Sequence, residues 1–307
     1  MPILCRRCRS SLADVYLPYT RQNLCSSCFQ DFYVKRIRRT VEGFRMFKPN
    51  DRVGIAVSGG KDSAALIHAL CKGFPNVDFV ALHINLGIKN YSSHCKIKVE
   101  ELTRLLDVEL HIFDLKEELG FSIDDFKMTF YKRKICSACG TVKRHVLEVL
   151  AERANTKILA TGHNLDDIVA TMLNNFFNGN WTQLVRLKPV LKPLMANQTL
   201  KVKPLIKSSE NENLLYCLYS DVPFREVNCQ NAHVEKRTKD REMLEYLSKD
   251  NPGFKYQMLK NFFKLIPILE EYLEKPKLMK CKFCGFPSLG EICAFCKRVE
   301  MVKDTKR

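Results

Sequence analysis

The chain has 307 residues, of which 46% are apolar, enough for one large domain or two with small appendages. Its net charge of +16 indicates a polyanionic partner, nucleic acid first, rather than a solubilising surface without a partner. A membrane span would need about 18 consecutive apolar residues, and no such run occurs. Since the start MPILCRRCRSSL also lacks a signal-peptide core, we expect a cytoplasmic protein.

Fourteen cysteines are many for a reducing compartment, where paired cysteines bind metal more often than they form disulfides. Two Cys-x-x-Cys pairs lie near the start of the chain and two near its end. Each group has the spacing of a closed, structural Cys₄ zinc site, with ligands Cys5, Cys8, Cys25 and Cys28, and Cys281, Cys284, Cys293 and Cys296. The alternative is buried free thiols. We predict two Zn²⁺ modules, at 1–34 and 276–307, whose folding depends on metal.

Three regions lie between the modules. Residues 35–50 form a basic linker helix, predicted from FYVKRIRRTVEGFRMF. Residues 51–227 alternate strands with helices, and the predicted strands are 52–57, 79–84, 109–113 and 157–161. Such alternation predicts an α/β fold with a doubly wound, mostly parallel sheet. Residues 228–275 carry only helical patterns and form a helical C-terminal region.

The first strand runs into SGGKDS, after which apolar residues return at helical spacing. A strand, a turn of small residues and a helix N-terminus place several backbone N–H groups at one point, which suits phosphate. The string lacks the spacing of a Walker loop. It resembles the PP-loop of the N-type ATP pyrophosphatases, which cleave ATP to AMP and pyrophosphate and adenylate an oxygen. The candidate nucleotide-binding residues are Ser58, Gly59, Gly60, Lys61, Asp62 and Ser63.

Each position in this loop suggests a role. The two glycines would let the backbone approach the phosphates, and Lys61 would neutralise charge as pyrophosphate leaves. Asp62 either helps to hold Mg²⁺ or caps the helix. His83 and Ile84 end the second strand and are candidates for the adenine pocket, although His83 suits the core equally well. Gly162, in the turn after the fourth strand, completes the set.

The sequence indicates a third cysteine site, of a different kind, in the middle of the chain. Cys136 and Cys139 form a pair with no second pair close by. The sequence offers Cys229 as a third ligand, and Cys217, in an apolar helical pattern, competes with it. Three thiolates can hold a [4Fe–4S] cluster with one iron open to an exogenous sulfur atom, whereas full ligation uses four. Alternatively, Cys229 is a buried free thiol and the pair is redox-active or inert.

The pieces SGGKDS, ICSACGTVKRHVL and ATGHNLDD, with the flanking cysteine modules, resemble the tRNA 2-thiolation enzymes of the TtuA group and their relatives over nearly the whole chain. The resemblance implies that ATP adenylates the C2 oxygen of a tRNA uridine. Sulfur delivered through the cluster then displaces AMP, giving 2-thiouridine or 5-methyl-2-thiouridine. It implies cluster ligands at Cys136, Cys139 and Cys229. A few residues favour the T-loop uridine at position 54 over the wobble uridine, and the terminal modules disfavour a cytidine-thiolating relative.

Catalytic side chains follow from the same resemblance. Lys143 lies four residues beyond Cys139, on the same helix face, and is a catalytic candidate; alternatively it faces tRNA phosphates. Two adjacent carboxylates at a strand end favour Mg²⁺ or acid–base chemistry. By match to the family, Asp167 is the first candidate for the catalytic carboxylate and Asp166 the second. Ile168 stands where the family often has an acidic residue, which argues against a third carboxylate.

Basic runs outside these loops, VKRIRR, RLKPVLKPLMANQTLKVKPLIK and VEKRTKDR, predict contacts with tRNA phosphates. In the zinc modules, Phe283, Phe286 and Phe295 either stack on bases or form the small core. The sulfur donor would be a thiocarboxylated ubiquitin-like carrier protein or free sulfide, and related enzymes imply a homodimer. Two other functions stay open: a PP-loop ligase or amidotransferase that adds nitrogen, and a zinc-dependent RNA-binding protein with an inactive nucleotide site.

Overall fold

The computed structural model describes residues 3–232, 234–274 and 276–306. Its strands, in chain order, are β1 Val15–Leu17, β2 Gln22–Leu24, β3 Arg52–Ala56, β4 Asp78–Asn85, β5 Glu109–Asp114, β6 Ile158–Ala160, β7 Val190–Leu191, β8 Leu200–Val202, β9 Met279–Lys280 and β10 Pro287–Ser288. Its α-helices are α1 Ser26–Phe44, α2 Lys61–Gly73, α3 Tyr91–Leu106, α4 Leu115–Leu119, α5 Ile135–Arg153, α6 Leu165–Phe177, α7 Trp181–Leu184, α8 Glu210–Tyr219, α9 Val234–Lys249, α10 Phe254–Tyr272 and α11 Ala294–Lys306. Short 3₁₀ turns occupy Ile123–Met128, Phe130–Lys134, Val185–Leu187 and Pro204–Lys207.

The central sheet has six strands in the order β5-β4-β3-β6-β8-β7. All neighbours pair in parallel except β7 and β8 at one edge, so the predicted mostly parallel sheet is confirmed. The chain order reverses on either side of β3, which pairs with β4 on one side and β6 on the other. In open α/β sheets such a switch point leaves a crevice beyond the strand C-termini, where ligands bind.

Alternating side chains explain why the sheet is covered on both faces. In β4, Phe79 and Ala81 enter one apolar cluster, while Val80 and Leu82 enter the other. Successive side chains of a strand point to opposite faces, so both faces of β4 are buried. Helices α1, α2 and α8 pack together on the first side, and α5 packs against β4 and β5 on the second. Burying each large apolar side chain stabilises the fold by about 1.5–3 kcal/mol.

The N-terminal module is continuous with the sheet domain through α1. This helix begins at Ser26, immediately after a zinc-ligand candidate, and extends to Phe44. Its buried stripe repeats every four residues, at Phe29, Tyr33, Ile37 and Val41, and joins the first apolar cluster. The expected boundary near residue 34 therefore falls inside one helix.

Within residues 228–275, the structure forms the helices α9 and α10. Helix α10 packs on α6 and α9, and α11 of the last module packs on α5. Within the described ranges, no helix is both long and apolar enough to cross a membrane. The basic run 186–207, expected to face tRNA, includes the strands β7 and β8 instead of an entirely exposed segment. Leu200, Lys201 and Val202 pair with β6, which holds Lys201 in the sheet.

Candidate active site

The PP-loop lies at the switch point of the sheet, between the end of β3 and the start of α2. Gly59 has φ +79°, and a Cβ there would lie 2.9 Å from the backbone oxygen of Cys95, so only glycine fits. Ser63 ties the loop together: its hydroxyl donates to the Gly60 carbonyl at 2.9 Å and accepts from the Ser58 N–H at 3.1 Å. The loop is therefore held in shape before any phosphate binds.

Lys61 and Asp62 open α2 and are held by residues from distant segments. The Lys61 Nζ atom lies 2.6 Å from a carboxylate oxygen of Glu210 and 3.4 Å from Asp62. The Asp62 carboxylate accepts hydrogen bonds from the side-chain amides of Asn164 at 3.0 Å and Asn213 at 2.8 Å. Because Gly60 occupies the N-cap position, Asp62 does not cap the helix. Sequence reasoning missed Glu210, since only the fold brings α8 to the loop.

The second motif, GHNLDD, begins α6 beside the PP-loop. A Cβ on Gly162 would lie 3.2 Å from the Ser63 nitrogen, so this turn packs directly on the start of α2. Asn164 forms a capping box with Asp167: its side chain accepts from the Asp167 N–H at 2.9 Å, and its N–H donates to the Asp167 carboxylate at 3.4 Å. Because Asn164 also donates to Asp62, it contacts both carboxylates.

Asp166 has a different environment from its neighbour. Its carboxylate accepts the backbone N–H of Glu210 at 2.6 Å and forms an ion pair with Lys255 on α10. Both charged side chains are mostly buried, at 15% and 20% exposure. Asp166 thus joins α6 to α8 and α10, whereas Asp167 remains at the helix start beside the loop. The two carboxylates therefore differ in their partners: Asp166 pairs with Lys255, and Asp167 takes part in the capping box with Asn164.

The structure brings the central cysteines together. Cys136 and Cys139 lie in the first turns of α5, which begins at Ile135. The Cys136 thiol donates to the carbonyl of Asn231 at 3.0 Å, and Asn231 lies two residues beyond Cys229. Cys139 and Cys229 pack against the same apolar cluster. Burial raises the pKa of the Cys139 thiol, as do its neighbours Cys229 and Cys136, while Lys143 opposes the rise.

Cys217, the competing ligand, lies elsewhere. It is fully buried in α8, in the apolar cluster on the other side of the sheet, and its thiol donates to the Lys61 carbonyl at 3.3 Å. Burial raises the pKa of the Cys217 thiol to about 12. The geometry therefore separates Cys217 from the pair and favours Cys229.

Arg225 connects the cysteine site to the PP-loop, and no sequence motif marks this residue. Its N–H donates to the Gly59 carbonyl at 2.7 Å, and its guanidinium lies 4.9 Å from the ring centre of Tyr91. The charge of Cys229 influences Tyr91 and Cys95, which lie at the start of α3, and Cys95 adjoins Gly59. The PP-loop and the cysteine site are thus adjacent, with Arg225 and the start of α3 between them.

Cations cluster on the opposite side of this region. Lys143 and Arg144, on α5, are exposed and lie near enough to His163 to affect its ionisation. Desolvation by the surrounding protein and then Lys203, Lys143 and Arg144 lower the pKa of His163. Lys203 is only 6% exposed, and burial lowers its pKa to about 8. Lys143 therefore belongs to a positive rim, which suits both alternatives considered for it, a catalytic cation and a tRNA contact.

The two residues predicted for the adenine pocket differ in exposure. His83 is 2% exposed, and its Nδ1 atom lies 2.8 Å from the carbonyl oxygen of Val57. Burial lowers the pKa of His83, so the ring is neutral, and the environment favours the core alternative. Ile84 is half-buried at the end of β4 and remains a candidate.

Both terminal cysteine sets have the geometry of a single-ion site. In each set, the four sulfur atoms lie within 4.8 Å of one another. Measured pairs are Cys8–Cys25 at 3.8 Å, Cys281–Cys296 at 3.8 Å and Cys284–Cys293 at 3.6 Å. Four thiolates at the usual zinc–sulfur distance would stand about 3.8 Å apart in a tetrahedron. The donor sets therefore fit Zn²⁺.

The phenylalanines of the C-terminal module divide between the two predicted roles. Phe295 stacks on the His145 ring of α5 at 3.7 Å, and Phe286 meets the same ring edge-on at 4.6 Å. These two therefore form the interface with the sheet domain. Phe283 is 67% exposed and is the one of the three that can stack on a base.

A glycine turn at the switch point of a parallel sheet, followed by a lysine and an aspartate at a helix N-terminus, defines a nucleotide-binding protein of the PP-loop class. A family profile described as a PP-loop domain matches residues 32–248.

Comparison with characterised proteins narrows this class. The chain is 33% identical over 293 residues to the tRNA-5-methyluridine(54) 2-sulfurtransferase of Pyrococcus horikoshii, covering 95% of this chain and 92% of that protein. The protein of the same name from Thermus thermophilus is 35% identical over 301 residues, covering 98% and 92%. The solved U34-tRNA thiolase NcsA of Methanococcus maripaludis, with its [4Fe-4S] cluster, has a TM-score of 0.82 at 27% identity, covering 98% and 96%. The chain belongs to the tRNA 2-sulfurtransferase family of PP-loop proteins.

Proposed function

We propose that this protein is an ATP-dependent tRNA sulfurtransferase that replaces the C2 oxygen of the T-loop uridine at position 54 with sulfur. The observation that carries the proposal is that the PP-loop and the loop of Cys229 are adjacent. Arg225 and the start of α3 lie between them and contact the PP-loop. The T-loop choice follows the relatives named for uridine 54, at 33% and 35% identity, over the U34 thiolase at 27%.

The central cysteines suit an iron–sulfur cluster better than a single ion. Among the described residues, only the two terminal sets bring three or more metal-binding side chains within 4.8 Å of one another, so at least one pair among the sulfurs of Cys136, Cys139 and Cys229 is farther apart than that. A cubane needs that wider spacing, because each ligand binds a different iron atom. When bound by three thiolates, such a cluster would supply one open coordination position for an exogenous sulfur atom.

The residues of the chain divide the work on ATP. The backbone N–H groups of the PP-loop and the N-terminus of α2 would hold the phosphates, with Lys61 exchanging Glu210 for a phosphate oxygen. Asp62 and Asp167, which both contact Asn164, would hold Mg²⁺ on the triphosphate. Lys61 and the metal ion would then stabilise the negative charge that develops on the leaving pyrophosphate.

The reaction proceeds in two displacement steps. The C2 oxygen of the uridine attacks the α-phosphorus of ATP, and pyrophosphate leaves. A sulfide-level sulfur atom then attacks C2, the bond from C2 to the adenylated oxygen breaks, and AMP leaves. Lys143, on the positive rim, would stabilise the negative charge on the adenylated intermediate and on AMP as it leaves. The target base must leave its stack to reach the site.

The remaining components belong to the same proposal. The sulfur donor would be a thiocarboxylated ubiquitin-like carrier protein or free sulfide, and the active form would be a homodimer. Two Zn²⁺ ions would hold the terminal modules. The protein would work in the cytoplasm, a reducing compartment in which paired cysteines serve as metal ligands more often than they form disulfides.

The decisive experiment combines three measurements on one sample. The protein is reconstituted anaerobically with iron and sulfide, its cluster is recorded spectroscopically, and thiolation of unmodified tRNA is mapped by nucleoside and fragment mass spectrometry. We expect ATP-dependent 2-thiouridine at position 54 only. Sulfur at position 34 alone would overturn the T-loop assignment. Full ATP turnover by Cys136→Ser in iron-free protein, with no sulfur added to the tRNA, would favour the nitrogen-adding ligase instead.

A further inference from the structure

A second basic site lies away from the sheet switch point, in a cavity of about 560 Å³ beside the N-terminal zinc module. Five cations line it: Arg6, Arg7, Lys35, Arg36 and Arg39. The first two belong to the knuckle between Cys5 and Cys8, and the other three belong to α1. Positions 35, 36 and 39 share one helix face because residues three and four apart are neighbours. The cavity is therefore framed by two rigid elements.

The positive charge in this cavity is only partly balanced. Arg36 pairs with Glu212 at 2.6 Å, and Arg7 lies 3.6 Å from Asp31, which is itself 64% exposed. Arg6, Lys35 and Arg39 form no ion pair with any side chain that the structure describes. Three like charges around one cavity repel each other, and a bound anion would relieve that repulsion.

Arg36 gives the cavity a built donor. Its side chain is 12% exposed, and its Nη1 atom donates to Glu212 and, at 2.6 Å, to the Tyr19 hydroxyl. Its Nε and Nη2 atoms are buried and find no hydrogen-bond partner among residues 3–232, 234–274 and 276–306. Unused donors on a desolvated guanidinium are unfavourable. Arg36 also lines the cavity, and phosphate is an anion whose geometry matches a guanidinium.

We propose that this cavity binds backbone phosphate of the tRNA substrate, at a distance from the uridine that reacts. The inference rests on the proposed function, because it takes tRNA as the polyanion. Lys35 and Arg39 are one helical turn apart, about 6 Å along the axis, which is close to the separation of successive phosphates in a strand. A row of cations at that spacing suits a polyphosphate backbone better than a single free phosphate ion.

The test uses a matched pair of substitutions on one helix. Arg39→Ala removes a cavity cation without an ion pair, while Arg38→Ala removes an adjacent, exposed arginine that pairs with Glu42 and lies outside the cavity. Both variants keep the buried network of Arg36. Equilibrium binding of tRNA to the full-length protein is measured across a salt series, and binding of inorganic phosphate is measured by calorimetry.

We expect Arg39→Ala to weaken tRNA binding about tenfold and to lower the salt slope by about one, with Arg38→Ala close to wild type. Equal affinities in the two variants, while wild type still thiolates tRNA, would overturn the cavity proposal alone. Millimolar or tighter binding of inorganic phosphate that depends on Arg39, with unchanged tRNA affinity, would also overturn it. A wild type that fails to thiolate tRNA but shows the Arg39-specific loss of tRNA binding would overturn the proposed function and keep the cavity.

Discussion

The backbone N–H of Arg225 donates to the carbonyl oxygen of Gly59 at 2.7 Å, so a main-chain hydrogen bond joins the PP-loop to the segment that carries Cys229. Gly59 and Arg225 are far apart in sequence, and Cys229 lies four positions after Arg225. A backbone contact of this kind is insensitive to side-chain substitution. It fixes how the nucleotide site and the cysteine site lie relative to each other.

Substitution of the two candidate third ligands should have opposite effects on iron binding. We expect Cys229→Ser to lose the reconstituted cluster and all thiolation, because Cys229 shares its environment with Cys139. Cys217→Ser should keep both, because Cys217 lies under the PP-loop in the other apolar cluster. Iron content and the visible absorption spectrum after anaerobic reconstitution measure the difference. Retention of iron by Cys229→Ser with loss in Cys217→Ser would reverse the assignment.

Removing the loop lysine should stop turnover but leave tRNA binding intact. Lys61→Ala is expected to lower tRNA-dependent pyrophosphate release at least about a hundredfold, since a cation on a leaving phosphate stabilises the transition state by that order. Lys72→Ala, at the exposed end of the same helix, is the control and should behave as wild type. An unchanged rate in Lys61→Ala would favour the inactive-site, RNA-binding alternative.

The adjacent aspartates should separate into a catalytic and a structural role. Asp167→Asn is expected to lower kcat by about a hundredfold with little change in thermal stability. Asp166→Asn removes one partner of a mostly buried ion pair with Lys255, so it should lower Tm by several degrees. Steady-state kinetics and calorimetry on both variants distinguish these outcomes. If Asp166→Asn loses turnover at an unchanged Tm, the second candidate is the catalytic one.

Metal content should respond to a single terminal cysteine. Each set of four sulfurs fits one ion, so wild type should carry two zinc ions and Cys281→Ser one. Burial acts to raise the pKa of Cys281, but hydrogen bonds from the backbone of Cys293, Cys284 and Phe283 lower it to about 6. Elemental analysis gives the count. Cys71→Ser, a single cysteine on α2, is the control and should retain both ions.

His68 should make folding stability depend on pH in the mildly acidic range. Burial lowers its pKa to about 4 from 6.5, with a smaller contribution from Lys72, and its Nδ1 atom lies 2.9 Å from the Tyr216 hydroxyl. Between these two values the unfolded chain binds a proton that the folded chain does not. The free energy of unfolding therefore falls as pH falls from 6.5 to 4, by about 3 kcal/mol from this residue at most.

The prediction for His68 is checked by comparing how steeply the free energy of unfolding depends on pH in two proteins. Urea denaturation of wild type and His68→Gln at several pH values in this window should show a shallower pH dependence in the variant. Acid release of metal affects both proteins equally, because their cysteine sites are identical. Parallel curves would mean that the buried imidazole does not control stability here.

The sequence predicts the elements whose signals are local. The strand before SGGKDS and the helix after it follow from apolar periodicity, and the parallel sheet follows from alternation of such units. The very short β7 and β8 escape this reasoning, because two or three residues carry no periodicity. Their lysines look like a solvent-exposed basic run, yet Lys203 is nearly buried, with its Nζ donating to the Lys188 carbonyl at 2.5 Å.

In the candidate site, too, local motifs predict some residues, and others are recognised only from contacts made in the fold. Its motif residues are readable one segment at a time, and the spacing of the terminal cysteines predicts both tetrahedral sets. Glu210 and Arg225 cannot be predicted in this way, because their roles depend on contacts between distant parts of the chain. Glu210 contacts Lys61, 149 positions away, and Arg225 contacts Gly59, 166 positions away. The sequence around Glu210 does mark a helix start, through the capping box of Ser209 and Glu212, but gives no sign of what that helix touches.

The first turn of α8 contacts three separate parts of the protein: Glu210 holds Lys61, Glu212 holds Arg36, and Asn213 holds Asp62. Each α-helical residue advances the side-chain direction by about 100°, so one inserted or deleted residue here would turn all three groups away from their partners together. This short stretch should accept a different side chain at the exposed Asn211 but no change in its length.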